Sequence, residues 1–174
     1  MKLSICLTTP MADISIHTDG VEIILGNSNK RFSGVTSTML QVLRYQQKRA
    51  NVAVLGTHNM PETVHTLSYL RFVWLCRRPL PNGRHRVFHA RRNDEMIQAL
   101  IAKKLFGAKI KIAFTSTAQR QHSGFSRWLM RQMDAIISTC SEAASYLVER
   151  PADVIIPHGV DIATFTPALS RALA

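Results

Sequence analysis

The chain alternates short apolar runs with stretches of helical periodicity, and this order limits the folds open to it. Residues 21–25 and 52–55 are continuous apolar runs of strand length, as expected for strands buried on both faces of a parallel sheet. Residues 35–47 place apolar side chains three and four apart, which is typical of a helix packed on such a sheet. The pattern predicts an α/β fold built on a doubly wound parallel sheet. The further predicted strands are 86–89, 109–114, 135–139 and 154–156, and the further predicted helices are 95–106, 125–133 and 141–149, with 64–76 helical or irregular.

Doubly wound sheets bind ligands beyond the carboxyl ends of their strands, so the loops that follow strands are the candidates for function. The loop between the first strand and the first helix contains Ser33, Gly34 and Thr36. A glycine lets a ligand approach the backbone closely, and the unpaired amides of a helix N-terminus attract phosphate. These three residues are therefore candidates for contact with a phosphate group. The alternative is that residues 33–38 only cap the helix.

A second loop, after the strand at 86–89, concentrates polar side chains at the same edge of the predicted sheet. Guanidinium groups form paired hydrogen bonds with carboxylates and phosphates, so we expect this loop to bind an anion. A single histidine there has the alternative role of a structural hydrogen-bond partner. The candidate residues are His89, Arg91, Arg92, Asn93 and Glu95.

A third loop, residues 115–122, follows the next predicted strand. Arg120 and His122 are its polar candidates for the same ligand. The alternative for residues 115–117 is that they only end the strand and begin a turn.

The segment IIPHGVDIATFTP, residues 155–167, has the pattern of a strand that ends in a hinge. Pro157 removes a backbone donor where the strand should end, and Gly159 permits a sharp turn. Asp161 can cap a following turn, and Phe165 can bury its ring against the domain. We assign the hinge to these four residues together with His158.

The charge of the chain favours an anionic partner. It has 22 Lys and Arg against 11 Asp and Glu, a net charge of +11. The basic residues occur in short pairs without the interleaved aromatic side chains that stack on bases, so we do not expect nucleic acid to be the partner.

The three cysteines, Cys6, Cys76 and Cys140, lie far apart and in no metal-binding spacing. They suggest neither a disulfide framework nor a zinc site, and they fit a reducing, cytoplasmic setting. We expect no metal and no cofactor.

Taken in order, the motifs SGVTST, HARRNDEM, FTSTAQRQH and PHGVD resemble glycosyltransferase family 4, and within it the mannosyltransferases of the lipopolysaccharide core. The resemblance implies the N-terminal, Rossmann-like half of a GT-B fold, with Gly34 facing the donor diphosphate. It also implies transfer of mannose from GDP-mannose, with retention of configuration, to an anionic lipid-linked saccharide. Family members often have histidines where this chain has Arg91 and Thr117, so the catalytic residues stay unassigned.

The resemblance also divides the chain. It implies an N-terminal extension at 1–20, an acceptor-side domain at 21–160, and a linker remnant and tail at 161–174. Because the donor-binding domain of the family would be missing, we expect the chain alone to be inactive. The alternative is a non-catalytic basic module that binds an anionic lipid or a partner protein.

The segment LSYLRFVWLCRRPL, which begins at Leu67 and ends at Leu80, combines apolar bulk with aromatic rings and cations. Trp74, Arg77 and Arg78 are the residue types that sit at a membrane interface, so we expect peripheral contact with the inner face of the cytoplasmic membrane. The alternative is an ordinary buried helix flanked by surface arginines.

Overall fold

The computed structural model describes residues 20–159, which form a seven-stranded sheet with all strands parallel. Asp161, Phe165, most of the predicted N-terminal extension and the predicted tail lie outside the described residues. The strand order is β3-β2-β1-β4-β5-β6-β7. The strands are β1 (Ile23–Gly26), β2 (Val52–Leu55), β3 (Thr66–Leu67), β4 (Arg86–Ala90), β5 (Ile110–Ser116), β6 (Ala135–Ser138) and β7 (Val154–Ile155). The predicted α/β fold with a doubly wound, Rossmann-like sheet is therefore confirmed.

Five helices connect these strands in the described part of the chain. They are α1 (Gly34–Gln46), α2 (Tyr69–Cys76), α3 (Asn93–Lys104), α4 (Gly124–Met130) and α5 (Ser141–Ser145). Gly107, with φ of +67°, adopts the left-handed conformation soon after α3, as is common for a glycine at a helix end. Cys140 is the N-cap of α5, and its Sγ accepts from the amide of Ala143 at 3.4 Å.

The helices cover the two faces of the sheet unequally. On one face Met39 and Leu43 of α1 pack against Leu25 and Val54. On the other face residues of α2, α3 and α4 pack with alternate strand residues such as Ile24. Crossovers between parallel strands are almost always right-handed, so helices are expected on opposite faces when the chain runs towards β3 first and then returns across β1 to β4.

The reversal of direction lies between β1 and β4, which are hydrogen-bonded neighbours. Connections leave these two strands on opposite faces, so a crevice opens between the loops that follow them. The loop after β1 leads to α1, and the loop after β4 leads to α3. The first two predicted ligand loops therefore flank this switch point.

Within residues 20–159, no helix combines the length and the apolar character needed to cross a membrane.

Candidate functional site

A buried carboxylate lies at the switch point, where the strand order reverses. Glu95 lies in the first turn of α3 and is fully buried, with 0% of its surface exposed. Its side chain reaches the end of β1, where a Cβ placed on Gly26 would lie only 2.7 Å from Oε2. Only glycine leaves room for the carboxylate at this position, so Gly26 and Glu95 fix the crevice together.

Three groups hold the Glu95 carboxylate. The backbone amide of Arg91 donates to Oε2 at 2.7 Å, Arg92 Nη1 lies 3.5 Å from Oε1, and Ser28 Oγ lies 3.4 Å from Oε1. Burial nevertheless raises the pKa of Glu95, against the opposing effects of the Arg91 amide and the Arg92 charge. The carboxylate therefore has a structural role, and it is not an exposed base.

Arg92 connects the Glu95 carboxylate to the loop after β1. Its Nη2 donates to the Ser33 hydroxyl at 2.7 Å. Ser33 occupies the N-cap position of α1, but its side chain makes no capping hydrogen bond to the helix amides. The Ser33 side chain therefore does not cap α1. The first turn of the helix has no side-chain acceptor from its N-cap residue.

Gly34 and Thr36 occupy the same turn in different surroundings. Gly34 begins α1 at an exposed position, where no atom lies within 4 Å of an added Cβ. Thr36 is buried and its Oγ1 lies 3.4 Å from Ser33 Oγ. The N-terminus of α1 is therefore open to approach on the side of Gly34.

A second group of predicted residues lines one cavity of about 640 Å³ beyond the ends of β4 and β5. Arg91, Asn93, Arg120 and His122 all contribute to its wall, together with the strand end and the start of α4. Among the residues described, no carboxylate lines this cavity. Its electrostatic character therefore favours an anionic ligand.

Arg91 is the most informative residue of this wall. Its Nη1 atom is buried and has no hydrogen-bond partner within the described part of the chain. Burial lowers the pKa of Arg91, with Glu95 opposing the shift and Arg92 adding to it. An arginine stays charged in proteins even so, and a buried donor without an acceptor is costly. An anion in the cavity would supply the acceptor that the protein does not.

Asn93 and His122 of this wall each contact a serine hydroxyl. Asn93 Nδ2 donates to Ser126 Oγ at 2.7 Å, and His122 Nε2 lies 3.2 Å from Ser116 Oγ. Burial and the nearby charge of Arg120 lower the pKa of His122, so its ring is neutral at pH 7. Arg120 itself is exposed at the rim.

His89 is not among the cavity residues in the described structure. Its Nε2 lies 2.7 Å from Thr115 Oγ1 on the neighbouring strand. Burial and then the Arg91 charge lower the pKa of His89 to about 3. A ring this hard to protonate, held by a strand hydroxyl, fits the structural alternative better than a proton-transfer role.

The two adjacent arginines of the second loop serve different places. Arg91 lines the cavity, whereas Arg92 turns to Glu95 and Ser33 at the switch point. Successive side chains of an extended segment point to opposite sides, and Arg92 has the extended φ of −137°. One arginine pair therefore joins the two parts of the site.

The described part of the predicted hinge follows β7, which is two strands beyond β5 in the sheet. Pro157, His158 and Gly159 follow β7 at the edge of the sheet and are exposed. The hinge role stays a prediction, since Asp161 and Phe165 lie outside the described residues.

The sequence interpretation missed Gly26, Ser28 and Asp94. The Ser28 hydroxyl donates to Asp94 Oδ2 at 2.5 Å, which ties the loop after β1 to the first turn of α3. A signal was present, because the run GNSN directly follows the first strand at the ligand edge of the sheet.

Comparison with known proteins identifies relatives of one kind. The chain is 40% identical over 153 residues to the lipopolysaccharide core biosynthesis mannosyltransferase LpsB of Rhizobium meliloti (strain 1021), a match that covers 87% of this chain and 42% of that protein. It is 42% identical over 148 residues to the lipopolysaccharide core biosynthesis mannosyltransferase LpcC of Rhizobium leguminosarum bv. viciae, covering 84% of this chain and 41% of that protein. No family model matches the chain.

These relatives confirm the resemblance to lipopolysaccharide core mannosyltransferases. The chain spans about two fifths of the length of the curated relatives that it matches.

Proposed function

We propose that this chain is the acceptor-side, Rossmann-like part of a retaining family 4 glycosyltransferase with a GT-B fold. The reaction is the transfer of mannose from GDP-mannose to a lipopolysaccharide core acceptor. The observation that carries the proposal is the identity of about 40%, over most of the chain, to two lipopolysaccharide core mannosyltransferases.

The cavity beyond β4 and β5 is the proposed acceptor site. An anionic saccharide brings carboxylate or phosphate oxygens, and Arg91 offers a buried donor without a protein acceptor. Arg120 at the rim adds a second cation, and Asn93 and His122 offer neutral polar groups for sugar hydroxyls. The acceptor would be oriented chiefly by its charge, with Arg91 as the inner anchor.

The N-terminus of α1 is the proposed place for the donor diphosphate. Ser33 is engaged by Arg92, so the first-turn amides near Gly34 and Thr36 have no acceptor from the N-cap side chain. Oriented amides and the nearby Arg92 would stabilise the negative charge that develops on the departing diphosphate. The Arg92–Glu95 pair would keep this charge fixed before the reaction begins.

The division of labour follows from the length of the match. The chain spans about two fifths of each relative, so transfer is proposed for a protein that combines this domain with the remainder of such an enzyme. Residues 21–160 would form the acceptor side, and residues 161–174 would form the linker remnant and tail. We infer that the chain alone has little or no transfer activity.

Peripheral membrane contact through residues 67–80 belongs to the same proposal, because the acceptor would be anchored in lipid at the inner face of the cytoplasmic membrane. Helix α2 buries Phe72 and Cys76 but leaves Leu70 and Trp74 81% and 68% exposed. Large apolar side chains beside the exposed Arg77 suit an interfacial surface.

The same exposed surface supports a second candidate function, a non-catalytic module that binds an anionic lipid or a partner protein. The two candidates differ in what a second domain should restore. In the test, the part of LpsB outside the matched region is supplied as a separate protein, and mannose transfer from GDP-mannose is measured. Transfer that needs both proteins favours the enzyme. Persistent inactivity together with tight binding to anionic lipid favours the module.

A further inference from the structure

A second cavity lies at the end of the sheet where the strands begin, opposite the proposed acceptor site. It has a volume of about 540 Å³ and opens between the end of α2 and the start of β4. Its wall includes Trp74, Leu75, Arg77, Arg78 and Arg86. None of the residues assigned to the acceptor or donor site contributes to it, so the proposed transfer reaction leaves this cavity without a role.

The wall is cationic. Three of its side chains are arginines, and no carboxylate lines it among residues 20–159. Glu22 lies 3.5 Å from Arg84, which is not part of the wall. An oxyanion is therefore the ligand class that this wall fits.

Arg86 gives the cavity a built inner surface. Only 2% of its surface is exposed, and its Nη1 donates to the Arg78 carbonyl at 2.5 Å. The turn beside it is also fixed, because the Leu80 amide donates to the Arg84 carbonyl at 2.8 Å. A charge held by burial and by backbone contacts loses little side-chain freedom when it binds an anion.

The exposed face of α2 leads directly to this cavity. Leu70 and Trp74 are four residues apart and share one face of the helix, and Arg77 and Arg78 continue that face at the helix end. The helix begins just after β3, at the carboxyl ends of the strands, and it ends at the opposite end of the sheet, before the start of β4. If α2 lies with this face on a bilayer, the arginines at its end lie at the lipid surface.

We propose that the cavity formed by Arg77, Arg78 and Arg86 binds the phosphate of an anionic phospholipid headgroup, while Leu70 and Trp74 enter the interfacial layer. This inference rests on the proposed membrane contact and specifies its anchor, but it does not depend on the transfer reaction. A lipid source is favoured over free phosphate because an exposed tryptophan and leucine flank the cavity, and free phosphate has no use for them.

The test is sedimentation of the protein with vesicles of phosphatidylcholine alone or with added phosphatidylglycerol. The Arg77→Gln/Arg78→Gln variant is compared with Lys48→Gln/Arg49→Gln, which removes an equally exposed basic pair just beyond the end of α1. We expect the first variant to weaken binding to the anionic vesicles by about thirtyfold, as two cations at an anionic surface should, and the control pair to have a much smaller effect. Trp74→Ala should weaken binding as well, because the interfacial anchor is lost.

The outcomes distinguish the proposed headgroup cavity from the proposed membrane contact. Equal weakening by both basic pairs, or no weakening by Arg77→Gln/Arg78→Gln, would overturn the headgroup cavity while the membrane contact stands. Absence of binding by the unaltered chain would overturn both, with the transfer assay still able to support the enzyme. Titration with inorganic phosphate at constant ionic strength is the last arm. Saturable phosphate binding without preference for phosphatidylglycerol vesicles would assign the cavity to a free anion and contradict the lipid.

Discussion

Glu95 packs its carboxylate against the bare Cα of Gly26, so the first turn of α3 meets the end of β1 without an intervening side chain. The contact lies at the switch point of the sheet, between the proposed donor and acceptor sites. Arg92 pairs with this carboxylate and donates to Ser33. The position of the donor loop therefore depends on the Glu95–Arg92 pair, and the same carboxylate accepts from the backbone amide of Arg91 in the wall of the acceptor cavity.

The first prediction concerns the space at Gly26. Gly26→Ala places a methyl group 2.7 Å from Glu95 Oε2 and should lower the free energy of unfolding by about 1–3 kcal/mol. Urea denaturation measures the change. The matched control is Gly34→Ala, where no atom lies within 4 Å of the new methyl group and stability should stay the same or rise slightly. Equal stability of both variants would contradict the packing.

The second prediction concerns the buried charge of Glu95. Burial raises its pKa in the folded state, so over the pH range between the unfolded and folded values the folded chain keeps a proton that the unfolded chain has lost. The stability that this group contributes is present below its unfolded pKa and is lost as pH rises. The free energy of unfolding of the unaltered chain, relative to Glu95→Gln, should therefore fall between pH 4 and pH 7. A difference that grows with pH would show instead that Arg92 and the Arg91 amide dominate.

The third prediction concerns Asp134, whose contribution to stability should change with pH in the opposite direction to that of Glu95. Burial alone would raise the pKa of Asp134, but hydrogen bonds from Lys103, the Ile112 amide and Lys111 lower it. The stability that Asp134 contributes is present above its unfolded pKa and is lost as pH falls through the folded value. Denaturation of Asp134→Asn should show its full deficit at pH 7 and a smaller deficit below pH 4. A deficit that does not change with pH would argue against the ion-paired carboxylate.

The fourth prediction concerns the acceptor cavity. Arg91→Met removes the buried donor and should weaken binding of an anionic core oligosaccharide by roughly 10- to 100-fold, the range for a hydrogen bond to a charged group. Calorimetry with the unaltered chain and the variant provides the measurement. Arg49→Gln, an exposed cation after α1, controls for net charge and should bind normally. Equal affinity of the Arg91 variant and the unaltered chain would remove Arg91 from the site.

Local patterns predicted most of the fold because each strand and helix has its own apolar periodicity. The strand at Val52–Leu55 matches its prediction, since a continuous apolar run between polar flanks has few alternatives. Strand β3 was not predicted, because two residues, Thr66 and Leu67, have no period, and only their pairing with Val54 and Leu55 defines the strand.

The site could be predicted only in part, for a related reason. Its loops follow the predicted strands, so the sequence predicts that Arg91, Asn93, Arg120 and His122 lie at one end of the sheet, and all four line the same cavity. The contact between Gly26 and Glu95 joins residues far apart in sequence and depends on how α3 packs over β1, which no local pattern records. The opposite directions of Arg91 and Arg92 follow from the extended backbone between them.

The most direct test of the proposed function is a hybrid enzyme. In this hybrid, the part of LpsB that matches this chain is replaced by the corresponding residues of this chain, and mannose transfer from GDP-mannose to a lipopolysaccharide core acceptor is measured. The account predicts transfer by the hybrid and a strong loss of transfer in the same hybrid carrying Arg91→Met. A hybrid that folds and binds the acceptor but transfers no mannose would contradict the account.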